Sequence, residues 1–329
     1  MDEKLFGKGG VKDRFDSRDF IYKDVAFALE PFDWTRGFDI EKKLGFSIPV
    51  KNQGQSFSCG GQAWSYLGQV LESLATFSFE ERSAKFIYAQ TFVPGGGSRG
   101  RDNCEIVTRQ GWAKESVLAS YEAKQPPSEV FMQKADDITP EVRNDANLAK
   151  SLSYYNVFSD MELIAHAIQN GNGCILGVTG ENNGTWTSKF PVPPKANFWN
   201  HWVYAGKALV LNGKKYIGIL NSWGDVGEKG WQYLGEEYIP YIWQGWALVY
   251  DAKIKHVFNT NLRWGMESPE VKFLQVRLQE LGFFPQRVCT NFYGTITKEA
   301  VKKFQLSVGI IGDNGVHFGP RTREKLNGA

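Results

Sequence analysis

Apolar residues recur at helical spacing directly behind a polar, glycine-containing loop in the first third of the chain. The loop runs from Asn52 to Gly61. The apolar positions that follow it are Ala63, Leu67, Val70, Leu71 and Leu74. This spacing predicts an amphipathic helix that begins near Gly60. Cys59 would then lie at or just before the helix N-terminus, where free N–H groups and the helix dipole favour a thiolate. The alternative is a small, buried, apolar cysteine.

The spacing of apolar residues divides the next two hundred residues into predicted helices and then predicted strands. Helical patterns cover residues 79–88, 104–111 and 161–170, and the last of them stops at Gly171. Apolar and aromatic-rich runs then predict strands at residues 174–179, 201–205, 216–220 and 246–250. Asn212-Gly213 is a turn signal between two of these runs and predicts a tight hairpin. The pattern is that of an α+β chain.

A third pattern begins near residue 265. Ser268, Pro269 and Glu270 are typical of a helix start, with Ser as the N-cap and Pro at the first helical position. An apolar stripe follows and stops at Gly282, and residues 292–305 and 318–326 give two further helical patterns. We therefore predict a small three-helix unit at the end of the chain.

Composition narrows the function classes. The chain has 329 residues, 42% of them hydrophobic, which predicts one large and one small domain. A formal net charge of +2 gives no case for nucleic acid as a partner. No run approaches the roughly 18 apolar residues of a membrane span. Cysteines at positions 59, 104, 174 and 289 and the four histidines are scattered, so we expect no metal site and no cofactor.

Four residues at long separations carry a family resemblance. Gln53 lies six residues before Cys59, His201 lies far downstream, and Asn221 opens the sequence Asn-Ser-Trp-Gly. In this order and spacing they resemble the papain-like cysteine peptidases, from about residue 33 to about residue 251. The resemblance implies a two-lobed fold, with a helical left lobe and an antiparallel, β-barrel-like right lobe. The cleft between the lobes would bring Cys59 to His201.

The resemblance also implies a role for each residue. Cys59 would attack the substrate carbonyl. His201 would form a thiolate–imidazolium pair with Cys59 and would then protonate the leaving amine. Asn221 would orient the imidazole, and Gln53 would donate a hydrogen bond to the oxyanion alongside the Cys59 backbone N–H. Trp223 would shield the bond between Asn221 and His201 from water.

Subsites are expected at three further positions, besides Trp223. Gly96 and Gly97 would line the cleft and bind an extended substrate through their backbone, although a plain mobile loop is the alternative. Trp202 follows His201 where the family has a small residue, so its ring would narrow a substrate pocket. The chain also has Gly60 after Cys59, and Val226 where the family has tryptophan, which puts the substrate preference in doubt.

The C-terminal pattern resembles the peptidoglycan-binding domain type 1 family. The predicted organisation is an N-terminal arm (1–40), a papain-like cysteine peptidase domain (41–258) and a peptidoglycan-binding-like helical domain (265–329). The arm is too short for the long helical propeptide of papain-like zymogens. We expect it either to lie over the peptidase domain or to form a partly ordered tail.

The resulting hypothesis is a cysteine-type endopeptidase of protein or peptide substrates, tethered to peptidoglycan by residues 265–329. Two alternatives stay open: a lysin-like hydrolase of peptidoglycan peptides, and a catalytically silent binding protein that keeps the fold. The first residues lack the apolar segment of a signal peptide. We therefore expect synthesis in the cytoplasm, with release by lysis or non-classical export to the cell wall.

Overall fold

The computed structural model describes the chain apart from residues 1, 15, 17–21, 23–30, 77, 123–124, 152, 250–257, 286–288 and 329. The chain separates into two units: residues 1–74 with 79–251, and residues 75–78 with 252–329. The predicted change of domain near Asp251 falls outside the described residues. The domain limits given above therefore stay a prediction.

Helices and strands follow the predicted order. The helices, numbered along the chain, are α1 (Ile40–Leu44), α2 (Cys59–Thr76), α3 (Ala84–Thr91), α4 (Gly100–Arg109), α5 (Glu129–Met132), α6 (Pro140–Ala146), α7 (Met161–Gly171), α8 (Pro269–Glu280), α9 (Thr295–Ser307) and α10 (Pro320–Asn327). The strands are β1 (Gly10–Val11), β2 (Phe38–Asp39), β3 (Ser98–Arg99), β4 (Ser153–Val157), β5 (Cys174–Gly180), β6 (Trp199–Leu211), β7 (Lys214–Leu220), β8 (Trp231–Gly235), β9 (Ile242–Val249), β10 (Leu262–Arg263) and β11 (His317–Phe318). The predicted α+β class is confirmed.

Helix α2 is the central helix of the helical lobe. It begins at Cys59, one residue before the predicted start, and its side chains are buried from Cys59 to Ser73. The neighbouring helix α3 begins because Ser83 caps it, with the Ser83 hydroxyl accepting a hydrogen bond from the Phe86 N–H at 3.1 Å. Trp112 donates its indole N–H to the Trp64 carbonyl at 3.0 Å and ties the loop after α4 to α2.

An antiparallel sheet forms the second lobe. Its main path is β4-β9-β5-β6-β7-β8, and β2 pairs with β6. This is an open path of strands and not a closed barrel within the part of the chain described. The predicted hairpin between β6 and β7 is present, with Asn212 and Gly213 at φ values of 50° and 76°. Both lie in the left-handed region that this two-residue turn requires.

Strand β6 separates two hydrophobic cores. Successive side chains of a strand point to opposite faces. His201 therefore faces the core that contains Trp186 and Trp223, whereas Trp202 faces the core that contains Trp64 and Trp246. The pairing of Leu220 with Tyr204 brings the end of β7 back beside the start of β6. The residue after β7 is Asn221, so the register itself places Asn221 near His201.

The second unit has a small core of its own. Helices α8, α9 and α10 surround buried side chains that include Leu274, Val301 and Phe318. The helix start predicted at Ser268 is confirmed, since its hydroxyl accepts a hydrogen bond from the Glu270 N–H at 3.2 Å. The predicted three-helix unit is therefore present, with the two short strands β10 and β11 paired beside the helices.

Two kinds of feature are absent from the described residues. Among them, no helix has both the length and the apolar character needed to cross a membrane. The same residues contain no group of three or more histidine, cysteine, aspartate or glutamate side chains arranged to hold a metal ion.

Candidate active site

The predicted nucleophile and base are both fully buried. Cys59 is the first residue of α2, and His201 lies near the start of β6. Neither side chain has exposed surface. The Nδ1 atom of His201 is buried without a hydrogen-bond partner among the described residues. This leaves one ring nitrogen of the candidate base unused in the folded chain.

The other ring nitrogen of His201 is held by a chain of amides. The Nε2 atom of His201 lies 2.9 Å from the Oδ1 atom of Asn221. The amide of Asn221 is oriented by its own donation to the Oε1 atom of Gln232 at 2.8 Å. Gln232 is oriented in turn, because its Nε2 atom donates to the carbonyls of Trp186 and Ser188. Oδ1 of Asn221 must then accept from Nε2–H of His201, so Nδ1 carries no proton in the neutral ring.

Gln53 is oriented in the same manner. The hydroxyl of Ser222 donates to its Oε1 atom at 2.6 Å, and the backbone N–H of Gln53 donates to the Ser222 carbonyl at 2.8 Å. The Nε2 atom of Gln53 is therefore a donor, and it points at the carbonyls of Ser56 (2.7 Å) and Gly7 (3.1 Å). This is the group that we expect to bind an oxyanion.

Aromatic rings enclose His201. The ring of Trp223 lies 4.8 Å from the imidazole between centroids, and those of Trp199 and Trp186 lie at 6.2 Å and 6.5 Å. Trp223 is fully buried. Trp186 and Trp199 were not predicted as site residues, because neither belongs to a motif and the sequence does not show which face of the sheet they cover.

The N-terminal arm runs through this site. Besides the bond from Gln53 to the Gly7 carbonyl, the Gly7 N–H donates to the Gly54 carbonyl at 2.9 Å. The Ser98 N–H donates to the Gly9 carbonyl at 3.0 Å, and β1 pairs with β3 in a parallel register. Phe6 stacks on Trp223 with ring centroids 5.1 Å apart. The described start of the arm thus lies over the predicted peptidase domain, with a 3-10 turn at Glu3–Leu5 before the strand at Gly10–Val11.

Two further side chains anchor the arm. The carboxylate of Glu3 is buried and accepts hydrogen bonds from the backbone N–H groups of Gly184 (3.0 Å) and Trp186. Lys8 places its Nζ atom 5.3 Å from the centroid of Trp223, close enough for a cation–π contact. Burial lowers the pKa of Lys8 relative to its ordinary value, against the opposing charge of Glu3. Glu3 thus anchors the arm before its glycine segment, and Lys8 anchors it within that segment.

Glycine is required where the arm passes the catalytic pair. A Cβ atom on Gly7 would lie 1.9 Å from the carbonyl oxygen of Ser56, and one on Gly9 would lie 1.9 Å from that of Phe57. On Gly10 it would lie 2.7 Å from the backbone nitrogen of His201. These contacts are too close for any side chain, so the passage admits only main chain.

Burial shifts the pKa values of Cys59 and His201, the two candidate catalytic groups. Burial raises the pKa of the Cys59 thiol to about 11, and hydrogen bonds from the backbone of Trp202, Gly9 and Gly60 offset this only in part. Burial also lowers the pKa of His201 to about 3, with the bond to Asn221 opposing the shift. Desolvation therefore outweighs the helix N-terminus. With the arm in place, both groups are neutral near pH 7.

The predicted subsite residues take different positions. Gly97 lies against Gly9 of the arm and Gly96 lies against the ring of Phe57, but the backbone that bonds to the arm is that of Ser98, one residue further on. Trp202 is fully buried beneath this segment and donates its indole N–H to the Ser98 carbonyl at 2.9 Å. Gly60 is explained by the same segment, because a Cβ atom there would lie 2.1 Å from the Ser98 hydroxyl.

Comparison with solved structures shows which fold this is. Xylellain, a cysteine protease from Xylella fastidiosa, aligns over 75% of this chain and 97% of its own, with a TM-score of 0.60 and 22% identity. The first unit has the papain fold. Digestive procathepsin L2 from the Tenebrio molitor larval midgut aligns over 75% of this chain and 79% of its own (TM-score 0.57, 16% identity). The ragweed pollen allergen Amb a 11, a cysteine protease in its proform, aligns over 71% and 69% (TM-score 0.55, 20% identity).

Sequence comparison identifies the second unit. Residues 267–326 match the model of the putative peptidoglycan binding domain. No curated protein matches the chain. The predicted resemblance to a papain-like fold joined to a peptidoglycan-binding-type domain is therefore confirmed.

Proposed function

We propose that the chain is a cysteine-type endopeptidase that hydrolyses peptide bonds through Cys59 and His201. The observation that carries this proposal is that the cleft already binds an extended polypeptide, its own arm. The arm's main chain is bonded by the side chain of Gln53 and the backbone of Ser98, and it passes Cys59 and His201 in contact with both. A cleft of this kind fits a peptide substrate.

In the proposed reaction, His201 acts first as an acid and then as a base. The Cys59 thiolate attacks the substrate carbonyl, and the Gln53 Nε2–H donates to the oxyanion that forms. The imidazolium of His201 protonates the leaving amine as the C–N bond breaks, which leaves a thioester on Cys59. His201 then accepts a proton from water, the resulting hydroxide attacks the thioester, and the acid product leaves as the thiol reforms.

The arm must leave the cleft before this reaction begins. The Gly7 carbonyl of the arm accepts the hydrogen bond that Gln53 would donate to the oxyanion. The bound arm also excludes water from Cys59 and His201 and so keeps both groups neutral. Hydration of the cleft would lower the desolvation cost of the thiolate–imidazolium pair. The folded chain with the arm bound is therefore the inactive form of the proposed enzyme.

A second candidate is favoured by the match of residues 267–326 to a putative peptidoglycan binding domain. A lysin-like enzyme would use the same catalytic pair on the peptides of peptidoglycan and would hold its substrate through this unit. In either case, the second unit would tether the enzyme at the cell wall. The third hypothesis, a silent binding protein, requires that the complete set of Gln53, Cys59, His201 and Asn221 serve no reaction.

The deciding experiment compares a chain without residues 1–12 with its Cys59→Ala variant. Each is incubated with denatured protein and, separately, with purified peptidoglycan, and new termini are identified by mass spectrometry. New peptide ends from protein, absent with Cys59→Ala, are the expected result. New ends only from peptidoglycan would establish the lysin-like function. No new ends from either substrate would overturn both and leave the binding protein.

A further inference from the structure

The second unit displays an aromatic side chain beside a cation on its surface. Trp264 directly follows β10 and is 55% exposed. The Nζ atom of Lys298, in the first turn of α9, lies 5.6 Å from the centroid of its ring. Phe292, 51% exposed, precedes Tyr293, whose carbonyl accepts a hydrogen bond from the Gly265 N–H at 2.9 Å. The backbones that carry the two exposed aromatics therefore run side by side.

This surface, made of Trp264, Phe292 and Lys298, is held in place by packed backbone. The Trp264 N–H donates to the Val316 carbonyl at 2.9 Å. The adjacent Gly315 lies so close to α9 that a Cβ atom on it would be 2.0 Å from the Lys298 carbonyl oxygen. One loop thus fixes both the tryptophan and the lysine, and a ligand would meet a surface that is already ordered.

The surface is open, and the unit that carries it has more basic than acidic residues. A Cβ atom on Gly265 would meet nothing within 4 Å, so neighbouring residues leave space beside Trp264. Between residues 262 and 329 there are ten lysine and arginine residues and six acidic ones. An exposed aromatic ring packs against the C–H face of a sugar ring, and a lysine beside it pairs with a carboxylate. Peptidoglycan presents both groups, amino-sugar rings and carboxylates.

We propose that Trp264, Lys298 and Phe292 bind the glycan strand of peptidoglycan, with a sugar ring on Trp264 and a carboxylate of the peptide attached to that strand beside Lys298. This assignment rests on the proposed wall-binding role of the second unit and names the residues and the part of the polymer that it recognises. Leu306 and Ile311, exposed apolar side chains of the same unit, lie outside this surface and serve as its internal comparison.

The test is co-sedimentation of the full chain with purified peptidoglycan, in the Cys59→Ala background so that the polymer stays intact. Trp264→Ala should weaken binding about tenfold, which corresponds to the loss of one well-packed contact. Lys298→Gln should weaken it about threefold and reduce its dependence on salt. Ile311→Ala, which removes an 87% exposed side chain from the same unit, should bind as the parent does.

A second polymer separates the glycan from the peptides. Binding should persist on peptidoglycan whose peptides have been removed enzymatically, and its loss there would overturn the assignment to the glycan. If Trp264→Ala binds as well as the parent does, the assignment of this surface is wrong, although the binding of the chain to peptidoglycan stands. If the parent does not sediment with peptidoglycan at all, the wall-binding function fails and this proposal with it. Equal melting temperatures would show that each variant is folded.

Discussion

The Oδ1 atom of Asn221 lies 2.9 Å from the Nε2 atom of His201, and the Asn221 amide is itself fixed by Gln232. Asn221 thus orients the imidazole but carries no proton in the reaction. We predict that, in a chain without residues 1–12, Asn221→Ala slows peptide hydrolysis by about ten- to a hundredfold, and His201→Ala by at least tenfold more. Equal losses in kcat, with equal melting temperatures, would show that Asn221 does more than orient the ring.

Gln232 is a positioning residue that acts through Asn221. Gln232→Leu removes the acceptor of the Asn221 amide and the donor to two carbonyls. We expect kcat to fall about tenfold with little change in KM, because substrate contacts are untouched. The control is Gln69→Leu: Gln69 is also fully buried, but its amide has no partner among the described residues. A loss of kcat as large in Gln69→Leu would mean that Gln232 is merely structural.

We predict that a mutation which displaces the arm increases the reactivity of Cys59. Gly9→Val would place a side chain against the Phe57 carbonyl, so the arm should leave the cleft. We expect alkylation of Cys59 by iodoacetamide at pH 8 to accelerate at least tenfold, because exposure lowers the raised pKa of its thiol. Lys4→Ala, an exposed position in the same arm, is the control. Mass spectrometry identifies the labelled cysteine, and unchanged labelling of Cys59 in Gly9→Val would contradict an arm held by this passage.

Buried His201 gives the folded chain a specific dependence on pH. Its pKa in the folded state, about 3, lies below the ordinary value of about 6.5 in the unfolded state. The contribution to stability is therefore complete above pH 6.5 and is lost as the pH falls from there towards 3. The loss is at most about 1.4 kcal/mol for each pH unit. Urea unfolding of the first unit between pH 7 and pH 5 measures it, and His201→Gln should flatten the dependence. An equal slope in that variant would exclude His201 as the cause.

The second unit should influence location and not chemistry. A chain that ends at Asn261 and lacks the arm should cleave a small soluble peptide as fast as the arm-deleted full chain, within about twofold. The physical reason is that the helices of the second unit close on a core of their own. Its sedimentation with insoluble peptidoglycan should be lost. Loss of small-peptide cleavage would show instead that the second unit completes the active site.

The sequence was sufficient for much of the fold because the decisive patterns are local. The helix at Cys59, the turn at Asn212 and the helix start at Ser268 each depend on residues within a few positions of one another. The family resemblance then supplied the pairing of distant motifs, and the structure brings His201 and Asn221 together as that pairing requires.

The missing features all depend on contacts between distant segments. Gln232 lies on β8, eleven residues after Asn221, which follows the end of β7. Phe6 contacts Trp223, which lies near the other end of the first unit's sequence. Neither periodicity nor a motif specifies such a partner. The sequence left open whether the first residues form an arm over the peptidase domain or a partly ordered tail, because glycine at positions 7, 9 and 10 is by itself only a turn or linker signal. The lack of space for a Cβ atom at these three positions is visible only once the residues that surround the arm are placed.

Replacement of any of the three arm glycines is expected to have the opposite effect on the reaction from most replacements near a reactive centre. At most positions near a reactive centre, a random replacement diminishes the reaction. At Gly7, Gly9 and Gly10, every replacement adds a carbon atom where the walls leave no room, and so favours an uncovered cleft. For the proposed enzyme, an error at one of these codons would therefore release proteolysis and not abolish it. Natural selection on the arm of the proposed enzyme would act to keep the enzyme inactive until the arm is removed.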